Sequence, residues 1–403
     1  MTRISSVEQF RQGIDNILSQ QARLNETQLQ LSTGKKINRP SDDPSASTQL
    51  LKLSTLKSKT EQYNRNIESA RNQLQLQESV LSSVTNVLQR VRELTVQANN
   101  ATQSDESRAA IADEIYNRID ELLQYANTKD PDGEYIFSGF NARSQAFVES
   151  GGGYTYQGDQ GERMLQISED LQVAVRSSGV DVFASAKTGD GRFTLVTDAA
   201  NQGNALVSMT SVTDATLDDY TLTFAAGANP GDPLTYQVVD SGATVVASGS
   251  YESEAVISFG GVTLEIEGDP EAGDAYQVNE SAKQDIFTTL KSLADELNAP
   301  NSSSADYARE VNNLGIALAS IDQALSTNQT LRTKAGNSLQ VIDQRQDSNL
   351  DNLIRIETQI SETEDLDFAQ AVSLLNLQTV ALQAAQQSYI RIQGLSLFNF
   401  LRG

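Results

Sequence analysis

Residues 311–360 read VNNLGIALASIDQALSTNQTLRTKAGNSLQVIDQRQDSNLDNLIRIETQI. Val311, Leu314, Leu318, Ile321, Leu325, Asn328, Arg332, Ala335, Leu339, Ile342, Gln346, Asn349, Leu353, Ile356 and Ile360 stand at alternating steps of three and four. That spacing is a coiled-coil seam and predicts one unbroken helix. A second stripe runs Leu53, Leu56, Thr60, Tyr63, Ile67, Ala70, Leu74, Gln77, Leu81, Val84, Leu88, Val91. It opens behind Asp42-Asp43-Pro44, an acidic N-cap before a proline at the first helical position, and should end near Ala98. At a rise of about 1.5 Å per residue both helices come to roughly 80 Å, and equal length predicts side-by-side packing. The Asn, Gln, Arg and Thr in their seams specify partner and register at some cost in stability.

Outside this pair lie two more stripes, one at each end of the chain. Val7, Phe10, Ile14, Ile17, Gln21, Leu24, Gln28 and Leu31 mark a helix over residues 1–32, and Phe368, Val372, Leu375, Thr379, Leu382, Gln386 and Tyr389 mark another. The inner pair is expected to close within the subunit, and the outer pair to be reserved for neighbours. Between helices, Gly34 through Pro44 is a connector with two prolines and a basic patch at Lys35, Lys36 and Arg39. A further helix starts near Ser104-Asp105-Glu106 with Ala112, Ile115, Ile119, Leu122 and Ala126 on one face, and Asp130-Pro131-Asp132-Gly133 signals a turn.

From Glu134 the period changes to two. Tyr135–Phe140, Met164–Ile167, Val173–Val175 and Val180–Phe183 read as short strands, followed by Phe193–Val196, Tyr220–Phe224, Thr235–Val239, Thr244–Tyr251, Ala255–Phe259, Val262–Ile266 and Ala275–Val278. The later spacing suits a small antiparallel sandwich or barrel. Helical composition returns after Ser281, with Ile286, Leu290, Leu293 and Leu297 on one face. The fold class is therefore α+β: an elongated helical rod of coiled-coil-like long helices built from both chain termini, with an inserted antiparallel β domain. Three domains are expected: 1–41 plus 366–403 as a terminal coiled-coil domain, 42–192 plus 283–365 as the long-helix rod with β-hairpins, and 193–282 as the inserted acidic β domain.

The formal net charge is −23 over 403 residues, unevenly spread. Residues 1–60 hold nine Lys/Arg against five Asp/Glu, while 193–282 hold fourteen Asp/Glu and no Lys or Arg. Nucleic acid is excluded as a partner, because phosphate binding needs clustered basic residues. The chain has no His, Cys or Trp, which removes disulfides, thiolate metal sites and the commonest general base. No apolar run is long enough to span a membrane, and no apolar signal segment opens the chain. Taken alone, that argues for the cytoplasm.

Candidate chemistry is thin. No phosphate-binding glycine motif follows a strand, and Gly151-Gly152-Gly153 and Gly189-Asp190-Gly191 read as turns. Glu265, Glu267, Asp269 and Glu271 offer a carboxylate pair for glycoside chemistry, but their alternation with apolar residues is that of a solvated strand face. Asp130, Asp132 and Glu134 could hold Ca²⁺, yet Pro131 interrupts them and the EF-hand spacing is missing. No catalytic, metal or cofactor-binding residue is assigned. The chain reads as a non-enzyme without cofactors.

Several segments together resemble the flagellin family. Leu31-Ser32-Thr33-Gly34-Lys35-Lys36-Ile37-Asn38-Arg39-Pro40-Ser41-Asp42-Asp43-Pro44 is similar to that family's N-terminal signature, and Leu88–Asn99 to its long-helix segment. Gly133-Glu134-Tyr135-Ile136-Phe137-Ser138-Gly139, Asp367-Phe368-Ala369-Gln370-Ala371 and Gln393-Gly394-Leu395-Ser396-Leu397-Phe398-Asn399-Phe400-Leu401 resemble its hook–filament junction members more than its filament subunits. Gly268-Asp269-Pro270 with Gly273-Asp274 is a loop also similar to those of hook-associated proteins. The resemblance implies a structural piece of the bacterial flagellum, extracellular at the hook–filament junction. It reverses the cytoplasmic reading, because such proteins are exported by a dedicated type III apparatus without a cleaved signal peptide.

The partners implied are further copies in a ring, the hook-side junction protein, flagellin, and an export chaperone on the C-terminal helix. The assembly interface is then expected at Val7, Phe10, Ile14, Ile17, Leu24, Leu31, Phe368, Val372, Leu375, Leu382, Tyr389, Leu395, Leu397 and Phe398. Gln89, Arg90, Arg92, Glu93 and Leu94 sit where flagellins present an innate-immune receptor site, though packing or interhelical ion pairs are the plainer reading. Flagellin itself is the alternative, disfavoured by Pro40, Pro44 and Ser396-Leu397-Phe398. An adhesin or glycan-binding β module on a helical stalk is more distant, since 193–282 offers only Tyr220, Tyr236, Tyr251 and Tyr276 as ring platforms beyond its phenylalanines.

Overall fold

The computed structural model describes the backbone of residues 2–100, 102–213, 218–229 and 231–401, and the side chains of these other than 2–7, 9 and 392–401. In chain order come α1 (Thr2–Thr33), α2 (Pro44–Ala98), α3 (Asp105–Ala126), and the hairpins β1 (Phe147–Ser150) with β2 (Gly153–Tyr156) and β3 (Met164–Gln166) with β4 (Gln172–Ala174). A short α4 (Gly179–Phe183) precedes β5 (Phe193–Thr197), β6 (Leu206–Val212), β7 (Tyr220–Ala225), β8 (Thr235–Val239), β9 (Val245–Ser250), β10 (Ala255–Phe259), β11 (Val262–Glu267) and β12 (Ala275–Glu280). The chain closes with α5 (Ile286–Leu297), α6 (Ser304–Glu364) and α7 (Phe368–Leu401). This is the α+β class expected, with helices at both chain ends and an antiparallel β region inserted between them. Two compact units result, Met1–Arg65 with Gln344–Gly403, and Asn66–Asp343, and α2 and α6 contribute to both.

Within Asn66–Asp343 the long seams face inward. Ile67, Ala70, Leu74, Leu81, Val84, Leu88 and Val91 of α2 are buried, as are Leu314, Ile321, Ala335 and Ile342 of α6. Two polar seam members of α6 are spent across the pair. Asn328 Nδ2 donates to the Leu81 carbonyl at 2.9 Å and to Thr85 Oγ1 at 3.0 Å, and Arg332 meets Glu78 at 2.7 Å. Gln77 both donates to Ser177 Oγ (2.9 Å) and accepts from the Ser177 N–H (3.1 Å), pinning the end of the β3–β4 hairpin. Ser104 caps α3 by accepting from the Ser107 N–H, and Asp285 caps α5 by accepting from the Thr288 N–H at 2.7 Å. Phe137, Phe147, Phe183 and Phe287 pack ring on ring, with centroids 5.1 to 5.6 Å apart, beneath these helices.

The inserted strands form a sandwich of two antiparallel sheets, ordered β5-β12-β7-β8-β9 and β10-β11-β6. Alternation sets the faces: Tyr220, Leu222 and Phe224 of β7 and Val262, Leu264 and Ile266 of β11 point into the shared core. Glu265 and Glu267 therefore stand on the opposite face of β11, as their spacing suggested. Asp274 is the buried knot of the Gly268–Asp274 loop. Its carboxylate accepts from the N–H groups of Gln202 (2.8 Å), Gly203 (3.1 Å) and Glu271 (2.8 Å), which explains that loop's Gly/Asp composition by local satisfaction.

Three sequence expectations fail here. Tyr135–Phe140 is not a strand: Tyr135 donates to the Ala142 carbonyl (2.7 Å), Ile136 to that of Thr128 (3.0 Å), and Gly139 adopts φ +67°, so scattered loop carbonyls replace a ladder. Val180–Phe183 is helical, because Ser178 Oγ accepts from the Asp181 N–H at 3.2 Å and caps a turn; an apolar run this short has no decisive period. The expectation also missed β1, β2 and β6, the last interrupting Leu206, Val207 and Val212 with Ser, Met and Thr and pairing with β11 across a register shift.

The turn at Asp130 is held by backbone donors and a buried arginine. Asp130 Oδ1 accepts from the N–H groups of Asp132 and Glu134, each at 2.9 Å, and Oδ2 meets the buried Arg176 guanidinium at 2.5 Å. Arg176 also reaches Glu134 at 3.0 Å. Two of the three carboxylates weighed as cation ligands, Asp130 and Glu134, are thus engaged by this chain's own donors. Among the described residues, no group of three or more His, Cys, Asp or Glu is arranged around a metal-sized space, and no helix is long and apolar enough to cross a membrane.

Candidate assembly interface

The unit formed by Met1–Arg65 and Gln344–Gly403 has its corner where α1 ends. Gly34 takes φ +72°, the left-handed conformation that closes a helix without penalty only for glycine, and its N–H donates to the Gln30 carbonyl at 2.9 Å. The next residues are stitched to the α6–α7 turn. Lys36 N–H donates to the Glu364 carbonyl at 2.6 Å, Leu366 N–H to the Gly34 carbonyl at 3.0 Å, and Lys35 Nζ meets the Glu364 carboxylate at 2.5 Å. The two chain crossings, α1 to α2 and α6 to α7, are thus one hydrogen-bonded corner, and Lys35 of the basic patch is engaged within the subunit.

Asp42 holds the connector's shape. One carboxylate oxygen accepts from the Arg39 N–H (2.8 Å) and the Asn38 N–H (3.0 Å). The Arg39 backbone donor is the largest influence pulling its pKa below the usual carboxylate value, and Asn38, the Arg39 charge and Ser41 pull the same way. Asp43 then caps α2, accepting from the N–H groups of Ser45 (3.0 Å) and Ala46 (2.9 Å) ahead of the expected proline. Asp367 caps α7 by accepting from the Gln370 N–H at 3.1 Å.

Above this corner α1 and α7 pair. The Phe10 and Tyr389 rings meet edge to face at 6.1 Å, and Gly13 lets them close: a Cβ there would stand 3.1 Å from Tyr389. Of the expected interface residues, Phe10, Ile17, Leu24, Leu31, Leu375, Leu382 and Tyr389 are half-buried. Ile14 (44%), Phe368 (55%) and Val372 (47%) remain exposed, although the Phe368 ring lies over Gly34. The side chains of Val7, Leu395, Leu397 and Phe398 lie outside the described residues.

Sequence reasoning missed a second apolar face on α7. Leu374 (44%), Leu377 (68%) and Val380 (65%) fall off the heptad positions and are bare. The signal was present in composition: residues 368–390 contain no charged side chain, so this helix is apolar on more than one side and needs more than one partner.

The Gln89–Leu94 segment lies in the other unit, and its side chains split by direction. Leu94 is buried, Gln89 and Glu93 are exposed, Arg90 Nε meets Glu114 of α3 at 2.9 Å, and Arg92 Nε meets Asp322 of α6 at 2.7 Å. Both guanidiniums bridge helices.

Comparison with known proteins agrees with this arrangement. Residues 9–142 match the bacterial flagellin N-terminal helical region. The chain is 34% identical over 183 residues to flagellar hook-associated protein 3 of Salmonella typhimurium, covering 45% of this chain and 57% of that one. It is 26% identical over 397 residues to flagellar hook-associated protein 3 of Escherichia coli, covering 98% of each. The crystal structure of flagellar hook-associated protein 3 from Legionella pneumophila superposes with a TM-score of 0.74 at 30% identity, over 77% of this chain and 97% of that one.

Proposed function

The chain belongs to the flagellar hook-associated protein 3 family, and from that premise we propose that it works by self-assembly of its terminal helices. It is a structural component of the bacterial flagellum, a junction piece between hook and filament. The hook side is taken by the neighbouring junction protein and the filament side by flagellin, with copies of this chain arranged in a ring. Residues 1–41 with 366–403 form the assembly domain on this reading, the long helices of 42–192 and 283–365 brace it, and the sandwich of 193–282 is an appendage.

The observation that carries the proposal is the doubled apolar surface of α7. Its heptad positions Leu375, Leu382 and Tyr389 are half-buried beside α1, while Leu374, Leu377 and Val380 stay bare, and contiguous exposed apolar side chains mark a surface awaiting a partner. Contacts of that kind between unlike faces propagate from copy to copy. Before assembly the same face suits an export chaperone, which would shield it until the chain leaves through the flagellar export route. No enzymatic role is proposed. Arg90 and Arg92 act as interhelical braces rather than as a receptor surface.

Deletion of the encoding gene tests this: cells should keep an intact hook and shed flagellin into the medium. The wild-type chain should restore filaments, and Leu377→Glu with Val380→Glu should not. Normal filaments in the deletion strain would overturn the junction reading. Filament formation over flagellin alone at wild-type length with the double variant would overturn the role of the α7 face.

A further inference from the structure

Inside the unit of Met1–Arg65 and Gln344–Gly403, α2 and α6 each bury one face and leave the opposite one bare. On α2, Leu53 (9%) and Thr60 (6%) turn inward, while Leu51, Lys52, Thr55, Lys59 and Gln62 form an exposed ridge at helical spacing. On α6, Asn349 (5%) and Ile356 (6%) turn inward, while Asp347, Leu350, Asp351 and Ile354 form the exposed ridge. Each ridge carries large apolar side chains that stay substantially exposed: Leu51 is 70% exposed, Leu350 46% and Ile354 63%.

The ridges differ in sign. Residues 44–65 hold four Lys/Arg and one Glu, for a net charge of +3; residues 344–364 hold two Arg and five Asp/Glu, for −3. Part of this is consumed inside the subunit, where Lys57 meets Glu357 at 2.7 Å. Lys52, Lys59, Asp347 and Asp351 form no ion pair among the described residues and point away from that contact.

We propose that the α6 ridge of one copy seats on the α2 ridge of the next, with Leu350 and Ile354 against Leu51 and the aspartates Asp347 and Asp351 facing Lys52 and Lys59. This rests on the reading of the chain as a self-assembling junction piece and adds the direction of its lateral contact. Two α2 ridges brought together about a two-fold axis would set lysine against lysine, and two α6 ridges would set aspartate against aspartate. Pairing of unlike ridges avoids both repulsions. It also leaves one of each kind free on every new copy, which is what a ring or helical array requires and a closed dimer does not. The apolar centre supplies contact area, and the charges at its rim select the partner face.

The absence of native cysteine makes the contact directly readable. Leu51→Cys and Ile354→Cys chains, carrying different epitope tags, are co-expressed in cells lacking the wild-type chain, and sheared flagella are oxidised. The expected product is a covalent species bearing both tags; each single variant alone should stay monomeric. Covalent dimers from one variant alone, or no cross-link in flagella that contain both chains, would overturn the proposal. A charge test stands beside it. Lys52→Glu with Lys59→Glu should lower incorporation into flagella at least tenfold, and adding Asp347→Lys with Asp351→Lys to the same chain should restore it, because both faces are then reversed together. Failure of that rescue in a chain with native helix content would also overturn it. If the chains are missing from flagella but the purified full-length pair still cross-links between positions 51 and 354, the junction reading fails and the contact stands. If neither preparation cross-links, the contact fails.

Discussion

Replacing Asn328 with leucine should make this protein more stable, although it removes hydrogen bonds. Asn328 is 1% exposed in the α6 seam, and its Nδ2 donates to the Leu81 carbonyl and to Thr85 Oγ1. Both acceptors keep other bonds, since Thr85 Oγ1 itself donates to the Leu81 carbonyl at 2.9 Å. Asn328 Oδ1, in contrast, is buried with no donor among the described residues. Losing two net hydrogen bonds costs about 2 kcal/mol, and removing one desolvated unpaired acceptor returns about 2 kcal/mol. What remains is burial of a leucine of similar outline, roughly 2 kcal/mol. Asn328→Leu should therefore raise the urea midpoint of the far-UV helical signal by an amount equivalent to about 2 kcal/mol with an unchanged slope. Asn328→Asp should lower it, because a buried carboxylate would face the Leu81 carbonyl. A midpoint lowered by more than about 1 kcal/mol in the leucine variant would refute the reasoning, showing that the asparagine is a net stabiliser rather than a register device.

Three further expectations follow from individual contacts. Excising the sandwich and joining Arg192 to Ser281 should preserve swarming motility, since the Ser281 N–H donates to the Arg192 carbonyl at 2.9 Å and the cut ends already touch; loss of filaments with normal expression would assign the appendage an assembly role. The Asp42 pKa is held low in the folded connector, so its contribution is present above the unfolded carboxylate pKa and is lost as pH falls through the depressed folded value. Amide exchange at Asn38 and Arg39 should accelerate over that acid window in the wild type, while Asp42→Asn should show fast exchange at neutral pH already. Arg90→Ala and Arg92→Ala should each leave the midpoint of thermal unfolding nearly unchanged, because solvent reaches both ion pairs and screens them, and both variants should still enter flagella.

The long helices were legible residue by residue. Asp43-Pro44 marks the start of α2 because a carboxylate there can reach the N–H groups of the first turn, and Asn99 marks its end. The buried positions Leu74, Leu81, Leu88, Leu314, Ile321 and Ile342 are those that a three-and-four count selects, since period and burial are two statements of one helical geometry. Alternation likewise placed β7, β10 and β11. It failed where the run is too short to separate a period of two from one of 3.6, at Val180–Phe183, and where serine and threonine positions hide a strand, at β6. Arg176 was invisible as a structural residue, because the carboxylates it neutralises are 46 and 42 positions away at Asp130 and Glu134.

The interface divides along the same line. Heptad spacing in the sequence determined that α1 and α7 each have a face to bury, and composition determined that α7 is apolar beyond that face. Only the tertiary structure decided which side is spent internally, through the Phe10–Tyr389 contact and the corner at Gly34, and so which side remains for neighbours. The physical reason is that periodicity records what a helix must bury, whereas the partner that buries it is chosen by chain segments hundreds of residues away.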